Sequence, residues 1–375
     1  MTGNEAVAYA VMQVNPDVCA AYPITPQTQI IEKFSKYCSD GKVDTENILV
    51  ESEHSVMSAC IGASAAGART FTASSSQGIA YMAEMMYIAS GLRLPIVMVV
   101  GNRSLSAPIN IYCDHSDSFM VRDSGWIQIY CEDVQEVYDS TIMAFKIAES
   151  VNIPVMVMMD GFYTTHSEQV LHTLLDVSVK KFVGVRPKRE NLLNDKLTIG
   201  PMSLSDSYLE TKVQQYNAME ASTKEIEKVQ KDFTETTGRK YGFYDSYNVK
   251  DAEIVFVCIG SSAQTFKIVS DEFRKKGIKI SVLRPRIFRP LPYNELKKDL
   301  HNKKVVVLDR AISFGSEYGP LGLEFQNYGK EFYNVMYGLG GRDFGIEDAK
   351  IIVEKFLKGK QPKHQYYGVR EDLLM

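Results

Sequence analysis

Ile48-Leu49-Val50-Glu51-Ser52-Glu53-His54-Ser55 runs from three apolar residues through two glutamates into a series of small residues, Ala59, Gly62, Ala63, Ala65, Ala66, Gly67 and Ala68. The apolar triplet reads as a strand and the small residues as a tightly packed helix. A single carboxylate, Glu53, therefore stands where a strand turns into a helix. In open α/β sheets ligands bind just beyond the carboxyl ends of the strands, so Glu53 occupies a place suited to chemistry.

The same phrase recurs on both sides of it. Val18–Tyr22, Thr70–Ala73, Leu94–Val100 and Pro154–Met159 are short apolar runs, each followed by a turn and a helical pattern. Runs that are apolar on both faces and alternate with helices predict a parallel sheet covered on both sides. From about Ser167 to Asn248 the pattern weakens into a polar connector containing Pro187, Gly200 and Pro201. A charged stretch from Tyr208 to Phe233 follows, with Val213, Tyr216, Met219, Ile226 and Val229 at helical spacing, which predicts a connector helix lying on a surface. A second alternation then begins. Its expected strands are Glu253–Ile259, Ile278–Leu283, Val305–Leu308 and Tyr333–Tyr337, and its helices Ala263–Lys276 and Glu347–Leu357. The chain is read as α/β in two units, residues 1–235 with the connector helix and a smaller unit of residues 236–375.

With 375 residues, 45% of them hydrophobic, the chain is long and apolar enough for a substantial core. A net charge of −4, with acids and bases interleaved, leaves no basic footprint for nucleic acid or an anionic membrane surface. The six cysteines are scattered without a C-x-x-C pair, which argues against a zinc or iron–sulfur site built by this chain and points to buried thiols of a reducing compartment. No metal ligand set is assigned. The N-terminus lacks a targeting pattern and no apolar run reaches the length of a membrane span, so a cytoplasmic protein is expected.

If the first sheet is parallel, its strand ends converge on one rim carrying Tyr22-Pro23-Ile24-Thr25-Pro26-Gln27-Thr28, Glu53, Ser74-Ser75-Ser76-Gln77-Gly78 and Asn102-Arg103. Pro23 and Pro26 fix backbone angles and stiffen the loop holding the Thr25 hydroxyl. A hydroxyl, a carboxylate and a guanidinium make a candidate site for an anionic small molecule. Each residue also has a plainer role: Thr25 as a helix N-cap, Arg103 in an ion pair, Glu53 favoured by a helix dipole. Asp114-His115-Ser116-Asp117 reads as a hydrogen-bonded loop lining the same cleft. Gly338-Leu339-Gly340-Gly341-Arg342 reads as a tight turn, Gly260-Ser261-Ser262 as an ordinary strand-to-helix turn, and Met82, Met85 and Met86 as core or subunit interface.

Taken in order, Gly3-Asn4-Glu5-Ala6, Ala21–Thr28, Ser52-Glu53-His54, Gly62–Arg69, Ser75–Gly78, Asn102–Asn110, Asp160-Gly161-Phe162 and Gly338–Asp343 resemble the α subunit of pyruvate:ferredoxin oxidoreductase, within the 2-oxoacid:ferredoxin oxidoreductase family. The resemblance spans nearly the whole chain and the ordered set is highly specific. It implies a pyrimidine-binding domain for thiamine diphosphate, with a parallel sheet flanked by helices, followed by a domain like the C-terminal one of transketolase. Glu53 matches the glutamate that shares a proton with N1′ of the cofactor, favouring the tautomer that can take the C2 proton. Arg103 matches the residue binding the pyruvate carboxylate and Thr25 a hydroxyl that also contacts substrate. The chain has no Gly-Asp-Gly signature followed by an Asn-containing magnesium loop, so the resemblance makes it half of an active site. A diphosphate-binding β subunit would bring the Mg2+, and γ and ferredoxin-like δ subunits the iron–sulfur clusters, with pyruvate, coenzyme A and ferredoxin as reactants in anaerobic metabolism. The alternatives are an oxidoreductase for another 2-oxoacid and a non-catalytic assembly subunit.

Overall fold

In the strand Ile96–Asn102, Val97 and Val99 enter one apolar core while Ile96, Met98 and Val100 enter another. Alternate strand residues point to opposite faces, so an uninterrupted apolar run requires cover on both sides. The computed structural model, which describes residues 1–359 and 361–374, supplies that cover with helices on one side and with helices plus a second sheet on the other.

The strands in chain order are β1 Val18–Ala21, β2 Glu46–Leu49, β3 Thr70–Ser74, β4 Ile96–Asn102, β5 Ile127–Tyr130, β6 Val155–Asp160, β7 Tyr244–Tyr247, β8 Ile254–Val257, β9 Ile280–Pro285, β10 Ile287–Arg289, β11 Lys304–Asp309, β12 Glu331–Met336 and β13 His364–Tyr366. The first sheet has the order β10-β5-β6-β4-β3-β1-β2 and is parallel except for β10. The second has the order β13-β12-β11-β8-β9-β7 and is parallel except for β7. In the first sheet β1 leads outward to β2, while β3 leads to β4 on the other side. The strand order therefore reverses between β1 and β3, which opens a crevice beyond their carboxyl ends.

The expected α/β architecture is present, and three local expectations need correction. Leu49 is 70% exposed because β2 is an edge strand, so the run around Ile48 is not covered on both faces. The connector helix spans Tyr208–Thr237 and buries only residues of its second half, Ser222, Ile226, Val229, Gln230 and Phe233, leaving Val213 and Tyr216 exposed. Residues 287–289 return to the first sheet as β10, so the second unit completes the first unit's edge. Met82 and Met86 lie in a core that runs continuously from the first sheet into the second, and Met85 packs partly buried against it. All six cysteines are free thiols, five of them buried. Among the described residues no helix is long and apolar enough to cross a membrane.

Two buried charge clusters pin the sheets together. Glu136 accepts from Arg286 Nε at 2.7 Å and pairs with Arg284 at 3.0 Å. Asp160, at the end of β6, accepts from Arg310 Nη1 at 3.0 Å, from the Ser261 amide at 3.0 Å and hydroxyl at 2.5 Å, and faces His115 Nε2 at 2.8 Å. Burial pushes the Asp160 carboxyl up, but His115, Arg310 and Ser261 together hold it well below the usual carboxylate range. Removing one member of a buried pair strands the other charge. Asp160→Asn is therefore expected to destabilise the chain by about 3–5 kcal/mol at neutral pH. Because the folded pKa is depressed, this contribution is fully present above the unfolded value, begins to fade below it and is lost only as pH falls through the folded pKa. The gap in urea midpoint between the parent and Asp160→Asn should be wide at pH 7, remain wide at about pH 4 and shrink only as pH falls further toward about 2. A gap that stays constant between about pH 4 and about pH 2 would contradict this role.

Candidate functional site

Ser52, in extended conformation, accepts the Ser55 amide with its hydroxyl at 3.2 Å and so starts the helix Glu53–Ala65 immediately after β2. Glu53 is thereby fixed in the first turn, where the helix dipole favours a negative charge. It is only 7% exposed, yet among the described residues its carboxylate has no hydrogen-bond or ion-pair partner. It faces Gly78, at the start of the helix Gln77–Gly91: a Cβ there would lie 2.8 Å from Glu53 Oε1 and run into Ser74 Oγ. The Ser74 hydroxyl, at the end of β3, is buried and also unpartnered. A buried acceptor, an idle hydroxyl and a floor that tolerates no side chain describe a slot for a ligand with its own donors.

Arg103 follows β4 and is 6% exposed. Among the described residues no carboxylate side chain of this chain lies within ion-pair distance of its guanidinium. Nε donates to the Asn110 carbonyl at 2.8 Å and Nη1 to the Thr25 carbonyl at 3.1 Å. Of the five guanidinium N–H groups, three remain, all at the Nη1/Nη2 end. Burial presses the Arg103 pKa down, with Asp117 opposing. Thr25 meets Arg103 through its main chain and keeps its exposed side chain free. It is not an N-cap: the helix starts at Thr28, and its cap position falls on Gln27, which makes no side-chain cap.

Asp117 holds the rim together. Its buried carboxylate accepts the amides of Ser76 at 3.0 Å and Arg103 at 2.9 Å and the Asn102 side-chain amide at 2.8 Å. Burial pushes it up to about 6 against those bonds. Ser76 has φ 48°, ψ −121°, a strained conformation for a non-glycine residue, held by Asp117 and by a hydroxyl bond to the Ser104 carbonyl. The loop Asp114–Asp117 is hydrogen-bonded as its composition implies, but the motif does not reveal that Asp117 is the acid that ties β3 to β4.

Cys113, His115 and Asp160 place ligand-type atoms within 4.8 Å of one another. Their donors are committed elsewhere: both Asp160 oxygens are bonded, Arg310 supplies the positive charge, and burial raises the Cys113 thiol well above its ordinary value. The cluster joins the sheets. Gly260-Ser261-Ser262 is a strand-to-helix turn, as expected, and its donors are filled by Asp160. Gly338–Arg342 is a tight turn with left-handed Gly338, Gly340 and Gly341.

Residues 9–231 match the family model described as "Pyruvate flavodoxin/ferredoxin oxidoreductase, thiamine diP-bdg", and residues 252–349 match "Pyruvate:ferredoxin oxidoreductase core domain II". The chain belongs to the pyruvate flavodoxin/ferredoxin oxidoreductase family. It is 48% identical to pyruvate synthase subunit PorA of Thermotoga maritima, covering 99% of this chain and 98% of that one. It is 41% identical to ketoisovalerate oxidoreductase subunit VorA of Pyrococcus horikoshii, covering 96% and 93%. Among solved structures, 2-oxoglutarate:ferredoxin oxidoreductase from Magnetococcus marinus matches with a TM-score of 0.70 at 20% identity, over 95% of this chain and 64% of that one. This last likeness concerns the fold, and the chain spans 64% of that longer polypeptide. As a member of this family the chain is a thiamine diphosphate-dependent 2-oxoacid:ferredoxin oxidoreductase subunit. The Glu53 slot fits that cofactor, because an aminopyrimidine brings the donors that the free carboxylate and the Ser74 hydroxyl lack, and its flat ring suits the Gly78 floor.

Proposed function

We propose that this chain is the α subunit of a cytoplasmic enzyme that converts pyruvate and coenzyme A to acetyl-CoA and CO2 while reducing ferredoxin. The observation that carries the reading is the buried Glu53 carboxylate, unpartnered and facing the Gly78 floor. Residues 1–235 act as the pyrimidine-binding unit with its connector helix, and residues 236–375 as the transketolase C-terminal-like unit. A diphosphate-binding β subunit closes the site and holds Mg2+, while γ and ferredoxin-like δ subunits carry the iron–sulfur clusters.

Thiamine diphosphate, when bound, supplies the carbon nucleophile and the electron sink that decarboxylation needs. The chain's own residues do the rest. Glu53 holds a proton at N1′ and exchanges it, a role open only to a carboxylate without an internal partner. The three free N–H groups of Arg103 take the substrate carboxylate in a planar fork. The Thr25 hydroxyl adds a neutral hydrogen bond beside it. Burial of Glu53 and Arg103 keeps water away and strengthens both interactions. The match from Arg103 to Asn110 and the relatives named pyruvate synthase favour pyruvate, and the relatives named ketoisovalerate oxidoreductase define the competing substrate.

The purified complex, assayed on a panel of 2-oxoacids with coenzyme A and ferredoxin, should give its highest kcat/KM with pyruvate. A preference for 2-ketoisovalerate would replace pyruvate by a branched substrate at the same site. The chain by itself is expected to fold and remain silent. Decarboxylation or ferredoxin reduction at the complex's rate by this polypeptide alone would contradict the half-site arrangement.

A further inference from the structure

The Arg103 side chain has no acidic partner to aim it, so its direction depends on two main-chain carbonyls, those of Thr25 and Asn110. A free arginine side chain loses rotamer entropy when it is ordered, and a guanidinium already held in place loses less of it on binding. The position of the Asn110 carbonyl therefore matters to whatever Arg103 binds. Asn110 lies in a stretch without helix or strand, between Arg103 and the helix Ser116–Met120. The nearest main-chain tie is at Tyr112, whose carbonyl accepts the Ser104 amide at 3.1 Å, two residues beyond Asn110.

The Asn110 side chain holds the residue itself. Asn110 Oδ1 accepts the Tyr112 amide at 2.6 Å, and Nδ2 donates to the Gly340 carbonyl at 3.1 Å, 230 residues away. The contact with the second unit is built as a clamp. The Gly341 amide donates to the Cys113 carbonyl at 2.7 Å, the Gly340 amide to Asp114 Oδ2 at 3.3 Å, and Tyr163 Oη to the Gly341 carbonyl at 3.1 Å. Gly340 and Gly341 have φ of 60° and 74°, and the turn comes close: a Cβ on Gly340 would lie 2.6 Å from Asn110 Nδ2, and one on Gly341 would run into Tyr112 Cβ. Only glycine combines that conformation with that approach.

We propose that Asn110 is a positioning residue for the substrate carboxylate, and that the Gly338–Arg342 turn of the second unit sets the aim of Arg103 through it. This rests on the reading of Arg103 as the carboxylate-binding residue. Its consequence is that the second unit tunes substrate affinity at a site formed at the strand ends of the first sheet.

The test uses the assembled complex with bound thiamine diphosphate quantified. Asn110→Ala should raise the KM for pyruvate about tenfold, with a smaller change in kcat and unchanged cofactor content, as expected for the loss of one charge-assisted alignment. Gly340→Ala, which perturbs the clamp from its other side, should give the same split. The deciding comparison is Asn110→Ala in an Arg103→Leu background, where the KM should not rise further, because the residue acts only through Arg103. An equal rise in both backgrounds, or a KM within twofold of parent in Asn110→Ala alone, would overturn the proposal while leaving Arg103 in its role. An unchanged KM in Arg103→Leu alone would overturn the reading of Arg103 and the proposal with it.

Discussion

Arg103→Leu in the assembled complex is expected to raise the KM for pyruvate by about 30- to 900-fold, the equivalent of about 2–4 kcal/mol for a charge-assisted bond to a desolvated anion. The structure explains why this variant should report on substrate and not on folding. Arg103 makes no ion pair with an acid of this chain, and the buried Asp117, which acts on its charge from farther off, keeps its own hydrogen bonds to Ser76, Asn102 and the Arg103 main chain when the side chain is removed. The Asp117 bond comes from the Arg103 main chain and survives the substitution. Leucine leaves only the Asn110 and Thr25 carbonyls without a donor. Thr25→Val should act more mildly, about tenfold or less for one neutral hydroxyl, because the Thr25 carbonyl that steadies Arg103 is retained. Affinity for thiamine diphosphate should change little in either variant. Steady-state kinetics with cofactor quantified distinguishes these outcomes, and a parental KM in both variants would remove the pair from substrate binding.

The parallel sheets were legible because their central strands are apolar on both faces: β3, β4, β6, β8 and β11 coincide with the expected runs to within two residues at either end. Some short strands were not, although β1 and β8, with four residues each, were. Ile127–Tyr130 has only four residues, and Ile287–Arg289 has three and joins a sheet whose other strands lie more than a hundred residues earlier. No local pattern encodes a partner that distant. The connector helix was recognised from its period, but periodicity does not say which half is covered: full burial begins at Ser222, while before it Gln215 donates to Ser90 and Ala218 and Met219 pack partly buried against the core.

At the site, the position of Glu53 followed from the strand-to-helix transition, whereas the small residues read as a tightly packed helix include Gly62, which is exposed with nothing within 4 Å of where a Cβ would stand. Lone polar residues told less. Thr25 beside proline looks like an N-cap, and only the geometry shows that the helix begins three residues later. Four closely spaced polar residues, Asp114 to Asp117, hide two different roles: Asp117 ties β3 to β4, while His115 joins the Asp160–Arg310 cluster between the sheets. Asn110 carried no signal of its own. The paired glycines Gly340 and Gly341 marked a tight turn, but not its close approach to Asn110 and Tyr112.

Glu53→Gln carries the largest expected loss in turnover. Glutamine fills nearly the same volume above Gly78, so the cofactor should still bind. A neutral amide cannot exchange a proton with N1′ as a carboxylate does, and kcat should fall by about a hundredfold or more, the usual scale of lost acid–base assistance. With stoichiometric cofactor in both proteins, that fall belongs to the chemistry and not to occupancy. Conversely, Glu53 makes no internal bond among the described residues, so its replacement removes no structural contact, and the thermal stability of the complex should stay near that of the parent. The most direct measurement is the rate at which the C2 proton of bound thiamine diphosphate exchanges with deuterated water. Exchange slowed by about a hundredfold or more in the Glu53→Gln complex is the predicted result; exchange at the parental rate, with cofactor fully bound, would contradict the role of this chain as the pyrimidine-binding half of the active site.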